Sequence, residues 1–466
     1  MVRKCNTDFA SVNRSLQAGL RKGNELGATA RELDSDISAE AKPSRKGMKL
    51  KPTGPGPGKR APGSRAAKKE QILSDNTYKA SDVPLTIGEL WTSRQRQMHP
   101  IHYTVSYRAS FKPELPDYFI KRYLSDKKKA LVLDPFGGRG TTIIQSNLNG
   151  FSAIHNDLSP IASFLGRARR RIPDLAELEL RLDEIQLSSK KSNVSDEDFL
   201  RLEPFFHEKT IHEIHNLRQM HLDNPDDSAL SYIALTALSR LHGHSDGFFS
   251  VYSFPQISIM PDAQRKNNRK RGLTPEYKAV KERILKKMKR DLAQPLHPSF
   301  NRAAANNRYL SCDATDLNGI ETSSVDLIVT SPPFLDKVDY KKDNWMRAWF
   351  LGVEDRMDEL PLAIFARLEQ WKDFMREAIR EFGRVLRPGG HAVIEVGEVI
   401  SGNQLILLER EMAEMLPLEV RGGGRVVARE ICINQQEFTK LANCWKVTNN
   451  SRGTNTNRCL VIQKEG

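Results

Sequence analysis

An α/β fold with a mainly parallel sheet and a long, mainly helical insertion is what this 466-residue sequence predicts. Three observations predict it. Ala130-Leu131-Val132-Leu133-Asp134 is a short apolar run ended by a glycine-rich turn, and a helical pattern follows. Phe151-Ser152-Ala153-Ile154-His155 is a second such run, ending in Asn156-Asp157, so that strand, turn, helix and strand make one parallel crossover unit. From Ser163 to Asn307 the apolar spacing becomes helical, with few strand candidates, before short apolar runs resume.

The chain is longer than one ordinary domain, and a tail plus a large domain with an insertion account for its length. Residues 1–75 read as a disordered basic arm. Ala41 to Lys69 is Lys, Arg, Gly, Pro and Ser with almost nothing apolar, including Pro52-Thr53-Gly54-Pro55-Gly56-Pro57-Gly58, and cannot offset the entropy lost on ordering. Order is expected from near Pro84-Leu85-Thr86-Ile87, and residues 76–162 form the first part of the α/β domain. In it Thr141 to Asn149 reads as a helix closed by Gly150. Residues 163–307 are the insertion. Residues 308–466 are the second part, with strands expected at Tyr309-Leu310-Ser311-Cys312, Val325 to Val329, His391 to Val396 and Cys459 to Ile462. An amphipathic stretch from about Pro361 to Leu386 precedes the stop Arg387-Pro388-Gly389-Gly390.

No run of about 18 apolar residues exists, and the polar N-terminus lacks the apolar core of a signal peptide, so a soluble, cytoplasmic protein without a membrane partner is expected. The five cysteines are scattered, form no Cys-x-x-Cys pair and read as structural thiols. His207, His212, His215 and His221 fit no zinc spacing, and no metal is expected. The net charge of +14 is localised: residues 1–75 carry 16 Lys/Arg against 8 Asp/Glu, and residues 265–290 carry 12 against 2, which leaves −4 for the rest. Two basic segments on an otherwise slightly acidic chain suit contact with a polyanion, or a solvated tail and helix face.

The turn after the first strand places Phe136, Gly138, Gly140 and Thr141 at a helix start, where a missing β-carbon lets a ligand approach the backbone amides. Gly138-Arg139-Gly140-Thr141-Thr142-Ile143 lacks the third glycine of the dinucleotide fingerprint, which disfavours a nicotinamide cofactor. Asp157, ending the second strand, can accept from both ribose hydroxyls of a nucleoside or can cap the helix after Pro160. Asp313 can accept from an adenine amino group. The most specific signal is Thr330-Ser331-Pro332-Pro333-Phe334, directly after a buried strand. Two prolines stiffen the backbone and remove two amide donors, so that Ser331 and the Pro332 carbonyl can hold an amino group while Phe334 stacks on a planar ring.

These motifs resemble those of the amino-methylating DNA methyltransferases, the N4-cytosine and N6-adenine group. Asp134 to Thr142 resembles the cofactor motif, and Ser331 to Phe334 the catalytic motif. His99-Pro100-Ile101-His102 with Phe111-Lys112-Pro113-Glu114-Leu115 resembles the methionine-side motif. Val338-Asp339-Tyr340, Trp349-Phe350-Leu351-Gly352 and Val385 to Gly390 extend the likeness. The resemblance implies a Rossmann-like class I fold with a seven-stranded sheet. It implies S-adenosyl-L-methionine bound by Phe111, Pro113, Asp134, Phe136, Gly138, Gly140, Thr141, Asp157 and Asp313. Ser331, Pro332, Pro333 and Phe334 would then be catalytic, with direct transfer of the methyl group to a base flipped from double-stranded DNA. Serine in the first catalytic position is the form more usual for cytosine N4. A cognate restriction endonuclease is a further candidate partner. Three alternatives stay open: adenine N6, an RNA base, or a non-catalytic DNA-binding protein on the same fold.

The insertion carries the expected nucleic-acid contacts. Thr274-Pro275-Glu276 reads as a helix start, followed by an apolar stripe of Tyr277, Val280, Ile284, Leu285 and Met288. Lys278, Lys281, Arg283, Lys286, Lys287 and Lys289 would face phosphates. The aromatics Phe248, Phe249, Tyr252 and Phe254 are either core or base contacts.

Overall fold

The computed structural model describes residues 83–92, 97–188, 191–254, 257–333, 339–360, 365, 367–401, 404–435 and 456–466. The N-terminal arm and Phe334 therefore lie outside the described residues.

Strand β1 (Leu85–Gly88) leads through a short 3-10 turn (Pro100–Tyr103) to helix α1 (Glu114–Leu124). The crossover read from the sequence follows as β2 (Leu131–Asp134), α2 (Thr141–Leu148), β3 (Ser152–Asn156) and α3 (Pro160–Arg167). Among the described residues seven helices then intervene: α4 (Leu175–Glu184), α5 (Asp196–Leu202), α6 (Glu208–Asp223), α7 (Ser228–Leu238), α8 (Pro261–Arg271), α9 (Val280–Asp291) and α10 (Pro298–Ala304). The sheet resumes with β4 (Arg308–Leu310) and β5 (Val325–Thr330). After α11 (Tyr340–Asp343), α12 (Trp345–Leu351), α13 (Glu354–Asp358) and α14 (Leu368–Val385) comes β6 (Leu386–Val396), and a β7–β8 hairpin (Glu398–Ser401, Gln404–Leu407) leads to α15 (Leu408–Ala413). The chain ends with β9 (Leu418–Glu419), β10 (Arg425–Gln435) and β11 (Thr456–Glu465).

The sheet order is β1-β10-β11-β6-β5-β2-β3-β4, with β9 paired to β10. The expected seven strands run from β10 to β4, with β1 and β9 added at one edge. Strand β11 is antiparallel to both neighbours, and β2, β3, β4, β5 and β6 are mutually parallel. Their cores are near-continuous apolar runs because both faces are covered: every residue of β5 is buried. The chain leaves β2 toward β3 and β4, then returns to β5 on the other side. The crevice at the carboxyl ends of β2 and β5 is thus the point where the winding reverses, which is where open α/β sheets bind ligands. Both sequence motifs sit there.

Three local expectations are corrected. The helix expected from Thr274 starts at Val280, because residues 277–280 are tied to α6 instead. Tyr277 Oη and the Val280 amide donate to the Glu213 carboxylate at 2.7 and 2.9 Å, and the Lys278 amide donates to Thr210 Oγ1 at 3.1 Å. Tyr277 is consequently exposed rather than part of the stripe, while Val280, Ile284 and Met288 are fully buried. Of the cysteines expected as thiols, Cys432 and Cys459 are free and buried, whereas Cys312 is in a disulfide. Strand β10 was not expected, since Arg429-Glu430 interrupts its apolar run.

Candidate active site

The turn after β2 is shaped by steric necessity. A β-carbon on Gly137 would lie 2.2 Å from the His155 ring, and Gly140, at φ +83°, caps α2 in the left-handed region. Buried Asn156 fixes the turn to β4: its side-chain amide donates to the carbonyls of Pro135 and Cys312 at 3.0 Å, and its oxygen accepts from the Cys312 amide at 2.8 Å. Asp157 accepts from the amides of Gly138 and Ser159, both at 2.8 Å. Burial pushes its carboxyl up to about 6 against the opposing pull of those two donors. Ser159, not Asp157, caps α3, accepting from the Ala162 amide.

Asp134 lies beneath the turn and joins the two motifs. Its carboxylate accepts from Thr330 Oγ1 at 2.6 Å and from the Phe136 amide at 3.2 Å, and burial pushes it up to about 7. Thr142 Oγ1 on α2 donates to the Val329 carbonyl at 3.0 Å, a second tie between the same loops.

Ser331 follows Thr330 at the end of β5, whose register with β6 sets Thr330 opposite Ile394. Glu395, the next residue on β6, is thereby beside Ser331, and Ser331 Oγ donates to Glu395 Oε2 at 2.7 Å. Asn457 on β11 donates to Glu395 Oε1 at 3.2 Å. Burial raises the Glu395 carboxyl, opposed by these two hydrogen bonds. The Pro333 carbonyl is engaged by the Trp371 indole at 2.9 Å, which anchors the loop to α14.

One cavity brings together Phe111, Phe136, Gly138, Thr141, Asp157, Asp313, Ser331, Pro332 and Pro333 from the expected set. Pro113, Asp134 and Gly140 do not line it: Pro113 caps α1, Asp134 is buried below, and Gly140 starts α2. Asp313 is exposed, with Oδ1 accepting from the Thr315 amide and hydroxyl at 2.9 and 2.8 Å. Residues outside the expected binding set complete the wall, among them Tyr107, Arg139, Tyr340 and Phe374. The Arg139 guanidinium donates to the Phe111 carbonyl at 3.2 Å and Thr141 Oγ1 at 3.1 Å. Glu395 was also missed; its signal was one carboxylate within the apolar run His391 to Val396. Among the described residues no cluster of three His, Cys, Asp or Glu side chains could hold a metal ion, and no helix is long and apolar enough to cross a membrane.

Of the cations expected to face phosphates, Lys287 departs from the expectation. Lys287 is 3% exposed and donates to Asp291 and to the Tyr103 carbonyl, and burial pulls it down to about 7. It follows Val280 by seven positions and Ile284 by three, which sets it on the inner face. Lys278 precedes the helix and donates to the Ser250 carbonyl at 2.7 Å, Lys281 reaches the Asp183 carbonyl at 3.2 Å, and Lys289 pairs with Glu179 at 2.9 Å. Lys286 is exposed.

No protein-family model matches the sequence. Over 337 residues the chain is 23% identical to Type II methyltransferase M.BsoBI of Geobacillus stearothermophilus, covering 66% of this chain and 63% of that protein. Over 110 residues it is 30% identical to Type II methyltransferase M.MjaII of Methanocaldococcus jannaschii, covering 23% and 20%. The chain thus spans less than two thirds of the length of these curated relatives. Among solved structures, TrmN of Thermus thermophilus is 12% identical with a TM-score of 0.30, over 77% of this chain and 50% of that one. The rRNA methyltransferase AviRa of Streptomyces viridochromogenes is 10% identical with a TM-score of 0.22, over 68% and 87%.

Proposed function

We propose that this chain is an amino-methyltransferase, similar to the Type II methyltransferases it matches, and that it moves a methyl group from S-adenosyl-L-methionine to the exocyclic amino group of a base flipped out of double-stranded DNA, with cytosine N4 as the target. The observation that carries the reading is Ser331, hydrogen-bonded to Glu395, on the wall of the cavity that the glycine turn and Asp157 also line.

The residues present fit the cofactor. Gly138 opens onto space where a β-carbon would meet only the Phe136 carbonyl at 3.9 Å, so a nucleoside can lie against the backbone. Asp157 and Asp313 would accept from ribose hydroxyls and an adenine amino group, Phe136 would pack on the adenine, and Arg139 and Phe111 would receive the methionine end. Bound there, the cofactor supplies a methyl group on a sulfonium, a good leaving group.

The remaining chemistry falls to Ser331, Pro332 and Glu395. Because the Ser331 hydroxyl proton is committed to Glu395, the serine oxygen faces the substrate as an acceptor. The Pro332 carbonyl likewise only accepts, and the proline nitrogen adds no competing donor. Two acceptors on the two amino hydrogens orient the nitrogen lone pair toward the methyl group, a gain from positioning. As the new C–N bond forms, the nitrogen sheds a proton to Ser331 Oγ while the serine proton passes to Glu395 Oε2, leaving a neutral methylated amine and a protonated carboxyl. Phe334 would stack on the base. The test is to incubate unmethylated DNA with the protein and labelled cofactor and to identify the labelled nucleoside. N4-methylcytosine is expected; label in N6-methyladenine would reassign the base.

A further inference from the structure

Beside this cavity the insertion carries a surface that combines exposed apolar side chains with unpaired positive charge. Seven large apolar residues are exposed among the described residues, and three of them fall between positions 252 and 260: Tyr252 at 37%, Phe254 at 52% and Met260 at 49%. Hydrogen bonds tie this segment to α11 and α12, one residue removed from the cavity wall. The Ser258 amide donates to the Asp343 carbonyl at 2.7 Å, and the Trp345 indole donates to the Ile259 carbonyl at 3.0 Å. Arg108, which lines the cavity, donates to Asp343 Oδ2 at 2.6 Å.

Helix α8 begins directly after Met260. It is docked by Gln264 and Asn268, one turn apart, which donate to the carbonyls of Tyr252 at 3.0 Å and Pro204 at 2.6 Å. Arg265 is committed to Asp262 and Glu203, and Arg271 lies over the Tyr252 ring at 4.2 Å. Lys266, Arg269 and Lys270 are exposed at the i, i+3, i+4 spacing that shares one helix face, and no acidic residue occurs from 265 to 271. A helix this polar contributes little to the core, where only Gln264 of its residues is buried.

We infer that α8 is the edge that meets the phosphates of duplex DNA, through Lys266, Arg269 and Lys270, and that Phe254 and Met260 are the apolar knob that enters the duplex beside the extruded base. The inference rests on the DNA reading above. Phosphate neutralisation positions the duplex, and an apolar wedge between base steps offsets the unstacking that flipping requires. It moves the phosphate contacts from α9, whose cations are largely engaged with the protein, to the helix beside the mouth.

The test uses the full chain, a labelled random-sequence duplex and two variants. Lys266→Gln/Arg269→Gln/Lys270→Gln removes three phosphate contacts on α8, and Lys286→Gln/Lys289→Gln is the comparison on α9. Each lost contact reduces the slope of log affinity against log salt by about 0.9, so the α8 variant should lose about 2.7 from its slope and up to roughly 500-fold in affinity near 0.1 M salt. The α9 variant should keep the wild-type slope, and both should keep wild-type S-adenosylhomocysteine affinity and thermal midpoint. Phe254→Ala/Met260→Ala should slow methyl transfer to duplex DNA more than to the same DNA heat-denatured. An unchanged slope in the α8 variant, or a loss confined to α9, overturns the phosphate assignment. Equal slowing on both DNA forms overturns the knob. Wild-type protein that binds no duplex and methylates none overturns the DNA reading itself.

Discussion

Replacing Glu395 with Gln tests whether the carboxylate beside Ser331 takes part in transfer. Ser331 Oγ donates to it at 2.7 Å in a half-buried setting, so the substitution exchanges a charge-assisted hydrogen bond for a neutral one without emptying the space. Hydrogen bonds to charged groups contribute about 1.5–3 kcal/mol. At about 1.36 kcal/mol per tenfold, loss of that contribution in the transition state slows transfer about 10- to 150-fold. The assay is single-turnover transfer of tritiated methyl to unmethylated DNA, with S-adenosylhomocysteine affinity measured in parallel and expected to be unchanged. The pH profile gives an independent readout. Glu395 accepts a proton only when ionised, and burial raises its carboxyl above the ordinary range. The wild-type rate should therefore fall on acidification through that raised value, and the variant should lack this limb. A variant with the wild-type rate, or one that keeps the limb, would refute the role.

Ser331→Ala should remove most methyl transfer while S-adenosylhomocysteine still binds, by calorimetry; full activity would remove Ser331 from the catalytic set. Gly137→Ala forces a β-carbon to 2.2 Å from the buried His155 ring, whose Nε2 is bonded to the Ala162 carbonyl at 3.2 Å, so denaturant unfolding should show a loss of about 1–3 kcal/mol or more. Asp134, pushed up to about 7, holds a proton in the folded state that the unfolded chain releases from about 3.8 upward. Its contribution to stability is complete below 3.8 and is lost as pH rises through 7. Asp134→Asn should therefore gain stability relative to wild type as pH rises from about 3.8 to about 7 in thermal melts, and a constant difference across that range would contradict the shift.

The central strands and both loops of the site were legible because buried parallel strands are written as continuous apolar runs and the loops are punctuated by glycine and proline. Asp157 was legible as a carboxylate ending β3, but its link to the Gly138 amide depends on the folding back of the turn. Glu395 was not legible, since its partnership with Ser331 comes from the register between β5 and β6, across 64 positions of sequence. Lys287 was misplaced because a lysine beside an apolar stripe reads as surface, whereas here its pairing with Asp291 lets both side chains be buried. The buried face defined by Val280, Ile284 and Met288 includes Lys287 and its partner Asp291. The aromatic cluster divided by depth: Phe248 and Phe249 are core, whereas Tyr252 and Phe254 are exposed, a distinction that composition does not carry.

The most direct test of the central claim is nucleoside analysis of unmethylated duplex DNA after incubation with the full chain and labelled S-adenosyl-L-methionine, beside an RNA control. Label in N4-methylcytosine, dependent on Ser331, is the predicted result. Label only in RNA, on a ring carbon such as in 5-methylcytosine, or in no nucleoside would contradict the account.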